Sequence, residues 1–379
     1  MKKLILLLSI LLLSVVVPSG MCAAEKEVDR GDLTEAAEKK EGFSAKDIIF
    51  EHLGDGYGWE VPFNHHKRIP LPVIVWASDG FHLFSSSRVT HGHEYKDGDV
   101  TFRIAGKDSP YKGKIVEVTA SGEEIKPSLD ISITKNVCAI FIGVILCIWA
   151  ILDVARWHRT QGSKAPRRMT GAVEFLITFI YDGVIKPTLK TKAQKFAPYL
   201  LTVFFFILIM NLMGLIVVFP GGANVTGNIA VTLVLALITF LITNIFGTKH
   251  YWKEIFNPDV PWWLKYPIPI MPLIEVFGIF TKPAALTVRL FANMMGGHMI
   301  VIVLTLLIFI FAYMGPVVTG ATAVVSVLFS VFMLCIDVLV SFIQAYVFTM
   351  LSTLFISLAQ EDGHEEHAKD ATPVAQPVK

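Results

Sequence analysis

Apolar segments long enough to cross a lipid bilayer recur through the second two-thirds of this 379-residue chain. Five such segments cover about residues 137–155, 199–219, 229–246, 268–314 and 321–358. A helix of about 20 apolar residues crosses the roughly 30 Å hydrocarbon core, and a helix bonds its own backbone polar groups. The segments therefore predict an all-α polytopic membrane domain with five transmembrane helices over residues 135–360.

The last two segments are much longer than one crossing requires. Their excess length predicts tilt, curvature or a broken helix near the prolines at 267, 269, 272 and 283. A turn is predicted where Gly315, Pro316 and Gly320 separate the two segments. These spans should therefore be long, tilted and antiparallel.

The composition agrees with a membrane protein, since 53% of the residues are hydrophobic and only 17% are charged. A net charge of +1 gives no basis for a nucleic-acid surface. The four cysteines show neither CxxC nor Cys/His spacing, so no disulfide framework or zinc site is predicted. We expect no metal and no cofactor.

The chain begins with the features of a secretory signal peptide over residues 1–24: two lysines, an apolar core and small residues before Ala24. Lipidation at Cys22 is an alternative, but Met21 fits that pattern poorly. Residues 25–134 are polar, and the turn signals at Asp79-Gly80 and Asp97-Gly98 predict an extracytoplasmic region rich in β-hairpins. The histidines at 65, 66, 91 and 93 lack metal-ligand spacing and are interpreted as loop residues.

Charge sets the predicted topology of the membrane domain. Basic residues between Arg156 and Arg168 follow the first span and place that end in the cytoplasm. Residues 170–190 alternate apolar and charged positions, which predicts an amphipathic helix at the interface. The mature N-terminus is then extracytoplasmic, and the acidic segment 361–379 is a cytoplasmic tail.

The last two spans carry the polar side chains that demand an explanation: Arg289, Asn293 and His298 on one, Asp337, Ser341 and Gln344 on the other, with Glu275 nearer the cytoplasmic end. A cation at the bilayer centre costs at least about 2.5–3.5 kcal/mol, so such residues usually serve a pathway. Bonding between helices is the alternative, and for Ser341 and Asn293 it is equally plausible.

Helical periodicity and the predicted turn group these residues. Arg289 and Asn293 share one helix face, while His298 points to the opposite side. Positions equally far from the turn lie at equal depth, which pairs His298 with Asp337 and Arg289 with Gln344. Histidine and aspartate exchange protons, whereas arginine stays charged. The pattern predicts a proton relay that an arginine blocks.

The segment from Lys282-Pro283 through Arg289-Leu-Phe-Ala-Asn293 to Gly297-His298 closely resembles subunit a of F-type ATP synthases. The stretches Phe342-Ile-Gln344-Ala-Tyr, Phe196-Ala-Pro-Tyr and Asn224-Val-Thr also resemble that family, over about residues 135–360. The resemblance implies a stator with two proton half-channels beside a ring of c subunits, coupling proton flow to ATP synthesis.

The resemblance also implies a role for each polar residue. Arg289 matches the essential arginine that meets the ring carboxylate, and Gln344 matches its partner. His298 and Asp337 fall at the titratable pair of the external half-channel, and Glu275 matches an acid near the inner exit. The region 25–134 departs from the family, whose N-terminal segment is usually much shorter.

Further implications concern setting and partners. The family predicts a non-catalytic subunit in a bacterial inner membrane, bound to the c ring, the peripheral-stalk b subunits and the remaining ATP synthase subunits. A stand-alone secondary transporter is the rival interpretation, but it predicts internal repeats that the sequence lacks. No P-loop is present, so any ATP chemistry belongs to the partners.

Overall fold

The computed structural model describes residues 54–61, 64–89, 93–106, 109–119, 122–162, 164, 166, 168–216, 222–256, 270–311 and 315–361. The predicted signal peptide over 1–24, the charged segment 25–53 and all but Glu361 of the predicted tail lie outside these residues.

The region before the first membrane helix contains antiparallel β-strands. Among the described residues these are β1 Gly58–Val61, β2 Asn64–Pro70, β3 Pro72–Trp76, β4 Phe81–Ser85, β5 Tyr95–Asp97, β6 Val100–Ile104, β7 Ile115–Val118, β8 Glu124–Ile125 and β9 Leu129–Asp130. They form three sheets, with strand orders β1-β2, β4-β3-β9 and β5-β6-β7-β8. The strands agree with the β-containing region that the sequence predicts.

Strand alternation builds the core of this β-region. Val73 and Val75 on β3, Phe84 on β4 and Phe102 on β6 are buried in one cluster with Ile115 on β7. Successive residues of a strand face opposite sides of the sheet, so these positions point inward together. Gly98 adopts a φ of 67° at the turn between β5 and β6, a conformation that favours glycine.

The described residues after 134 are mostly helical. Their helices are α1 Lys135–Gln161, α2 Arg168–Ile180, α3 Lys186–Leu189, α4 Ala193–Leu215, α5 Ile229–Ile245, α6 Lys249–Phe256, α7 Ile270–Phe311 and α8 Pro316–Ala359, with a π-turn over Tyr181–Ile185 and a 3-10 turn over Lys190–Lys192. The described residues divide into two compact units, one with residues 54–144, 210–225 and 295–339, the other with residues 145–209, 226–294 and 340–361.

Four helical segments of the described chain are long and apolar enough to cross a membrane: α1, Arg168–Leu215, Leu273–Ile308 and Val317–Ala359. The pair α5 and α6, bent by 102°, gives a fifth if it counts as one span. The polytopic all-α prediction is therefore confirmed, whereas the count of five and the interfacial position of 170–190 stay predictions.

The structure decides two local expectations. Of tilt, curvature and a break, which the sequence left open, a break at Pro283 is excluded, because α7 runs through it for 42 residues, about 63 Å at helical rise. Pro267 and Pro269 lie outside the described residues. The turn predicted over 315–320 is too long, since α8 already begins at Pro316. Proline suits a first helical position because its φ is preset and its missing N–H would have no partner there.

Contacts within the second unit position the C-terminal part of α8. The Lys192 ammonium donates to the Gln360 carbonyl at 2.6 Å, and the Ser357 hydroxyl donates to the Thr188 carbonyl at 3.0 Å. The rings of Phe179 and Phe342 lie 6.4 Å apart. These contacts fix the height and rotation of α8 within this unit.

Candidate functional site

Arg289 lies near the middle of α7 with its side chain exposed on the surface of the chain. Leu286 and Leu290 are buried and form the stripe by which this part of α7 packs into its unit. Within the described chain, Arg289 makes neither a salt bridge nor a hydrogen bond. Its charge therefore faces outward from a helix that otherwise consists largely of apolar residues.

Asn293 is also exposed, one turn after Arg289 on the same continuous helix. The uninterrupted helix places the two side chains on one face, as their spacing of four predicted. Glu275 lies 14 positions before Arg289 and is partly buried. The helical rise puts Glu275 about 21 Å from Arg289 along α7, so the two do not form one cluster.

Gln344 and Ser341 on α8 are buried within the second unit, and Gln344 is only 6% exposed. The Gln344 amide nitrogen has no hydrogen-bond partner among the described residues. Leaving such a donor unsatisfied costs about 1–3 kcal/mol. Such a buried amide can donate a hydrogen bond to another molecule, or to a side chain that takes another position in a second state of the protein.

Asp337 on α8 lies against α7 at Gly297, one residue before His298. A Cβ added to Gly297 would be 2.7 Å from the Asp337 Oδ1 atom and 3.2 Å from Oδ2. Asp337 Oδ2 is buried and has no hydrogen-bond partner among the described residues, His298 included. His298 is partly buried. The structure thus brings the Gly297–His298 step close to Asp337, and it leaves one carboxylate oxygen able to accept a proton.

Sequence reasoning missed the role of Gly297 in this arrangement. Small residues on a membrane helix are ordinarily explained by the close approach of another helix. The two glycines differ in the structure, because a Cβ added to Gly296 would have no atom within 4 Å beyond its chain neighbours and the backbone of its own helix. Gly297 makes room for a carboxylate, and its position beside His298 in an apolar helix was the signal that could have revealed this.

The β-region contains a second polar cluster that the sequence did not predict. His82, only 8% exposed, is bonded through Nε2 to Asp79 at 2.6 Å and through Nδ1 to Asp97 at 2.9 Å. Burial alone lowers the pKa of His82, but the two carboxylates more than offset this, so the pKa is raised. The bond from His82 lowers the pKa of Asp79.

The histidines singled out from the sequence are elsewhere. His93 is exposed, His91 lies outside the described residues, and the side chains of His65 and His66 are not described. Within the described ranges, no group of three or more His, Cys, Asp or Glu side chains has the arrangement of a metal site.

Family models match two parts of the chain. Residues 137–357 match the model described as ATP synthase A chain, and residues 48–136 match a domain of unknown function, DUF8433. The first match includes both helices that carry the candidate site. The second match overlaps the β-region, for which it provides no function.

Curated relatives agree with the first of these matches. A protein of Chlorobaculum tepidum named ATP synthase subunit a 2 is 43% identical over 313 residues, which cover 80% of this chain and 85% of the relative. ATP synthase subunit a of Myxococcus xanthus is 41% identical over 67% of this chain and 83% of its own length. That of Pelodictyon phaeoclathratiforme is 42% identical over 63% and 69%.

These matches, together with a charged arginine in the middle of an apolar helix and an aspartate beside Gly297 whose Oδ2 has no partner among the described residues, identify the chain as a member of the ATP synthase A chain family.

Proposed function

We propose that this chain is the membrane stator of a rotary ATP synthase, in which it provides two proton half-channels against the ring of c subunits. The exposed position of Arg289 is the observation that carries the proposal. The chain itself is not the catalytic subunit. It couples proton movement across the membrane to ATP synthesis in its partners.

The energetics of Arg289 require a partner from outside the chain. A guanidinium stays charged, and placing it at membrane depth costs several kcal/mol unless it is solvated or paired. No described residue of the chain pairs with it. A carboxylate on a passing c subunit would neutralise it, and each ring carboxylate would have to lose its proton before it could bind there.

The same charge separates the two half-channels. A protonated ring carboxylate has no attraction to Arg289, so protons leave the ring before the carboxylate reaches the arginine. Arginine cannot relay protons itself, because a guanidinium stays protonated in proteins. Protons therefore cannot pass straight from one half-channel to the other, and they cross only by riding the ring.

The remaining polar residues receive roles on this scheme. Asp337 and His298 take protons from the external side, and the unpartnered Asp337 Oδ2 is the accepting atom. Gln344 and Asn293 orient the Arg289 side chain. The Gln344 amide nitrogen is also without a partner in the described chain. Ser341 supports the external path, and Glu275 receives protons near the cytoplasmic exit.

The setting follows from the same proposal. The chain is placed in a bacterial inner membrane with its mature N-terminus outside and its C-terminus in the cytoplasm, because the basic residues after α1 belong on the cytoplasmic side. It contacts the c ring, the peripheral-stalk b subunits and lipid. Each proton that crosses the membrane down the electrical potential releases about 2.3 kcal/mol of free energy per 100 mV.

The test uses the complete ATP synthase reconstituted into vesicles. ATP-driven acidification is compared between the wild type, Arg289→Ala and the control Val288→Ala, whose side chain is also exposed on α7. The proposal expects acidification to be lost only in Arg289→Ala and to be indifferent to sodium. Acidification that persists in Arg289→Ala would refute the proposed role, and a sodium-dependent signal would make sodium the transported ion.

A further inference from the structure

The three-stranded sheet of the β-region exposes an apolar face. Five large apolar side chains, each between 53 and 62% exposed, lie on it: Trp76, Phe81, Leu83, Leu129 and Ile131. We call this set the apolar face. Together the side chains expose on the order of 500 Å², near the upper end for the largest apolar patch on a typical soluble monomer.

Strand register makes the face continuous. Trp76 in the central strand is directly opposite Phe81 on β4 and Leu129 on β9. The rings of Trp76 and Phe81 are in edge contact, with centroids 6.5 Å apart. Ile131 extends the face beyond β9, where its N–H donates to the Ile74 carbonyl at 3.0 Å. The exposed side chains therefore form one surface.

The opposite face of the same sheet is already buried. Val73, Val75 and Phe84 point into the core of the β-region. An antiparallel sheet with one face in the core and one in water normally alternates apolar and polar residues. The sequence Pro72-Val-Ile-Val-Trp76 is apolar at every position, which is typical of a strand that is covered on both sides.

The β-region is joined to the first membrane helix without a free linker. The N–H groups of Ile133 and Lys135 donate to the carbonyls of Pro72 at 3.1 Å and Gly56 at 2.8 Å. The Asn136 N–H donates to the Asp55 carboxylate at 3.1 Å. The sheet and the start of α1 are thus held by hydrogen bonds at alternate residues from Ile131 onward.

This attachment fixes how far the sheet lies from the bilayer. The apolar part of α1 begins at Val137, six residues after Ile131. Six residues span at most about 20 Å even when fully extended. The headgroup layer is about 5–8 Å thick on each side of the hydrocarbon core. The apolar face therefore starts within reach of the lipid surface that α1 enters.

We propose that the apolar face of the β4-β3-β9 sheet lies on the lipid bilayer, with Trp76, Phe81 and Leu83 in the headgroup–acyl boundary beside α1. Tryptophan and other aromatic side chains favour that boundary, and the rigid connection to α1 delivers the sheet to it. The β-region is a membrane-resting support for the first span. This inference does not depend on the proposed proton path.

Site-directed spin labelling of the complete ATP synthase in lipid nanodiscs tests the inference. A nitroxide is placed at Leu83→Cys in a chain whose native cysteines are replaced, and a matched label is placed at Lys96→Cys, an exposed position on β5 of another sheet. A complex that carries no introduced cysteine but is treated with the same spin label gives the background signal. Collisions with oxygen, which concentrates in lipid, and with a water-soluble nickel chelate are measured at each site.

At each site the quantity compared is the ratio of the collision rate with oxygen to the collision rate with the nickel chelate. We expect this ratio to be at least about threefold higher for the label at Leu83 than for the label at Lys96. Equal ratios at the two sites would place the apolar face in water and overturn the proposal. Protection of the Leu83 label from both reagents would mean that protein covers the face, either the segment before residue 54 or another subunit, and would also overturn it. Both sites are exposed, so the labels leave the core of the β-region unchanged.

Discussion

Replacing Gly297 by alanine should displace the carboxylate on which the proposed external path depends. The new Cβ would be 2.7 Å from the Asp337 Oδ1 atom and 3.1 Å from Cγ. Ordinary contact begins near 3.4 Å, so the carboxylate has to retreat by about 0.7 Å. Misplacing a reacting group by about 1 Å costs up to about 100-fold in rate. We expect proton transport to fall by roughly 10- to 100-fold.

Gly296→Ala is the matched control, because a Cβ added there would meet no atom within 4 Å other than its chain neighbours and the backbone of its own helix. Both substitutions give the helix the same gain in propensity, about 1 kcal/mol over glycine. Overpacking costs Gly297→Ala about 1–3 kcal/mol that Gly296→Ala does not incur. The difference between the two variants therefore isolates the contact with Asp337.

The assay is the initial rate of ATP-driven acidification in vesicles, with the melting temperature of each complex measured in parallel. A double variant, Gly297→Ala with Asp337→Ala, removes the clash and should recover stability without recovering transport. Equal acidification rates for Gly297→Ala and Gly296→Ala would refute the reasoning, because the carboxylate would then not need its observed position.

Three further predictions concern other parts of the chain. Asp79 and Asp97 raise the pKa of His82, so their stabilisation of the β-region is complete below the ordinary imidazole pKa of about 6.5 and is lost as the pH rises through the raised value. The lowered pKa of Asp79 adds stability above its ordinary value of about 3.9, and this stability is lost as the pH falls through the lowered pKa. The protection factors of the Phe81–Ser85 amides, which are the intrinsic exchange rates divided by the observed ones, should therefore be highest between these limits in the wild type, and this pH dependence should vanish in His82→Asn. Tyr57→Phe removes the 2.7 Å bond to Asp130 and should cost the β-region about 1.5–3 kcal/mol, measured as faster exchange of the same amides, and an unchanged exchange rate would contradict it. Tyr199→Phe breaks the 2.7 Å contact with Thr239 within the membrane helices and should cost only about 0.6 kcal/mol in detergent unfolding, whereas a cost above about 2 kcal/mol would refute the membrane estimate.

The membrane helices could be predicted from the sequence because each is encoded by a long, uninterrupted apolar segment. Lipid excludes unbonded backbone, so a sustained apolar segment leaves few alternatives to a helix. The positions of Arg289 and Asn293 on one face of α7 followed from helical period alone. The start of α8 at Pro316 did not, since a proline marks either a turn or a first helical position.

The contacts of particular side chains could not be predicted in the same way. Gly297 and Gly296 are neighbours of identical type, and only the placement of Asp337 on the facing helix distinguishes them. His82 on β4 meets Asp97 on β5, 15 residues further along the chain, although the two strands belong to different sheets and do not pair. A contact between sheets depends on tertiary packing, which a local sequence pattern does not encode. The apolar face is a further example. A strand such as Pro72–Trp76 can be recognised from its apolar sequence, but the sequence does not tell which side of the strand is exposed.

Arg289 as a barrier between two half-channels is the central claim, and passive proton flow tests it most directly. Vesicles containing the membrane sector without its catalytic part are given a potential of fixed size, while chemical modification of the c-subunit carboxylates blocks the ring in half the samples. The account predicts that the wild type conducts only with an unmodified ring, and that Arg289→Ala conducts protons even when the ring is blocked. Equal, negligible conduction by both blocked samples would show that something other than Arg289 separates the half-channels.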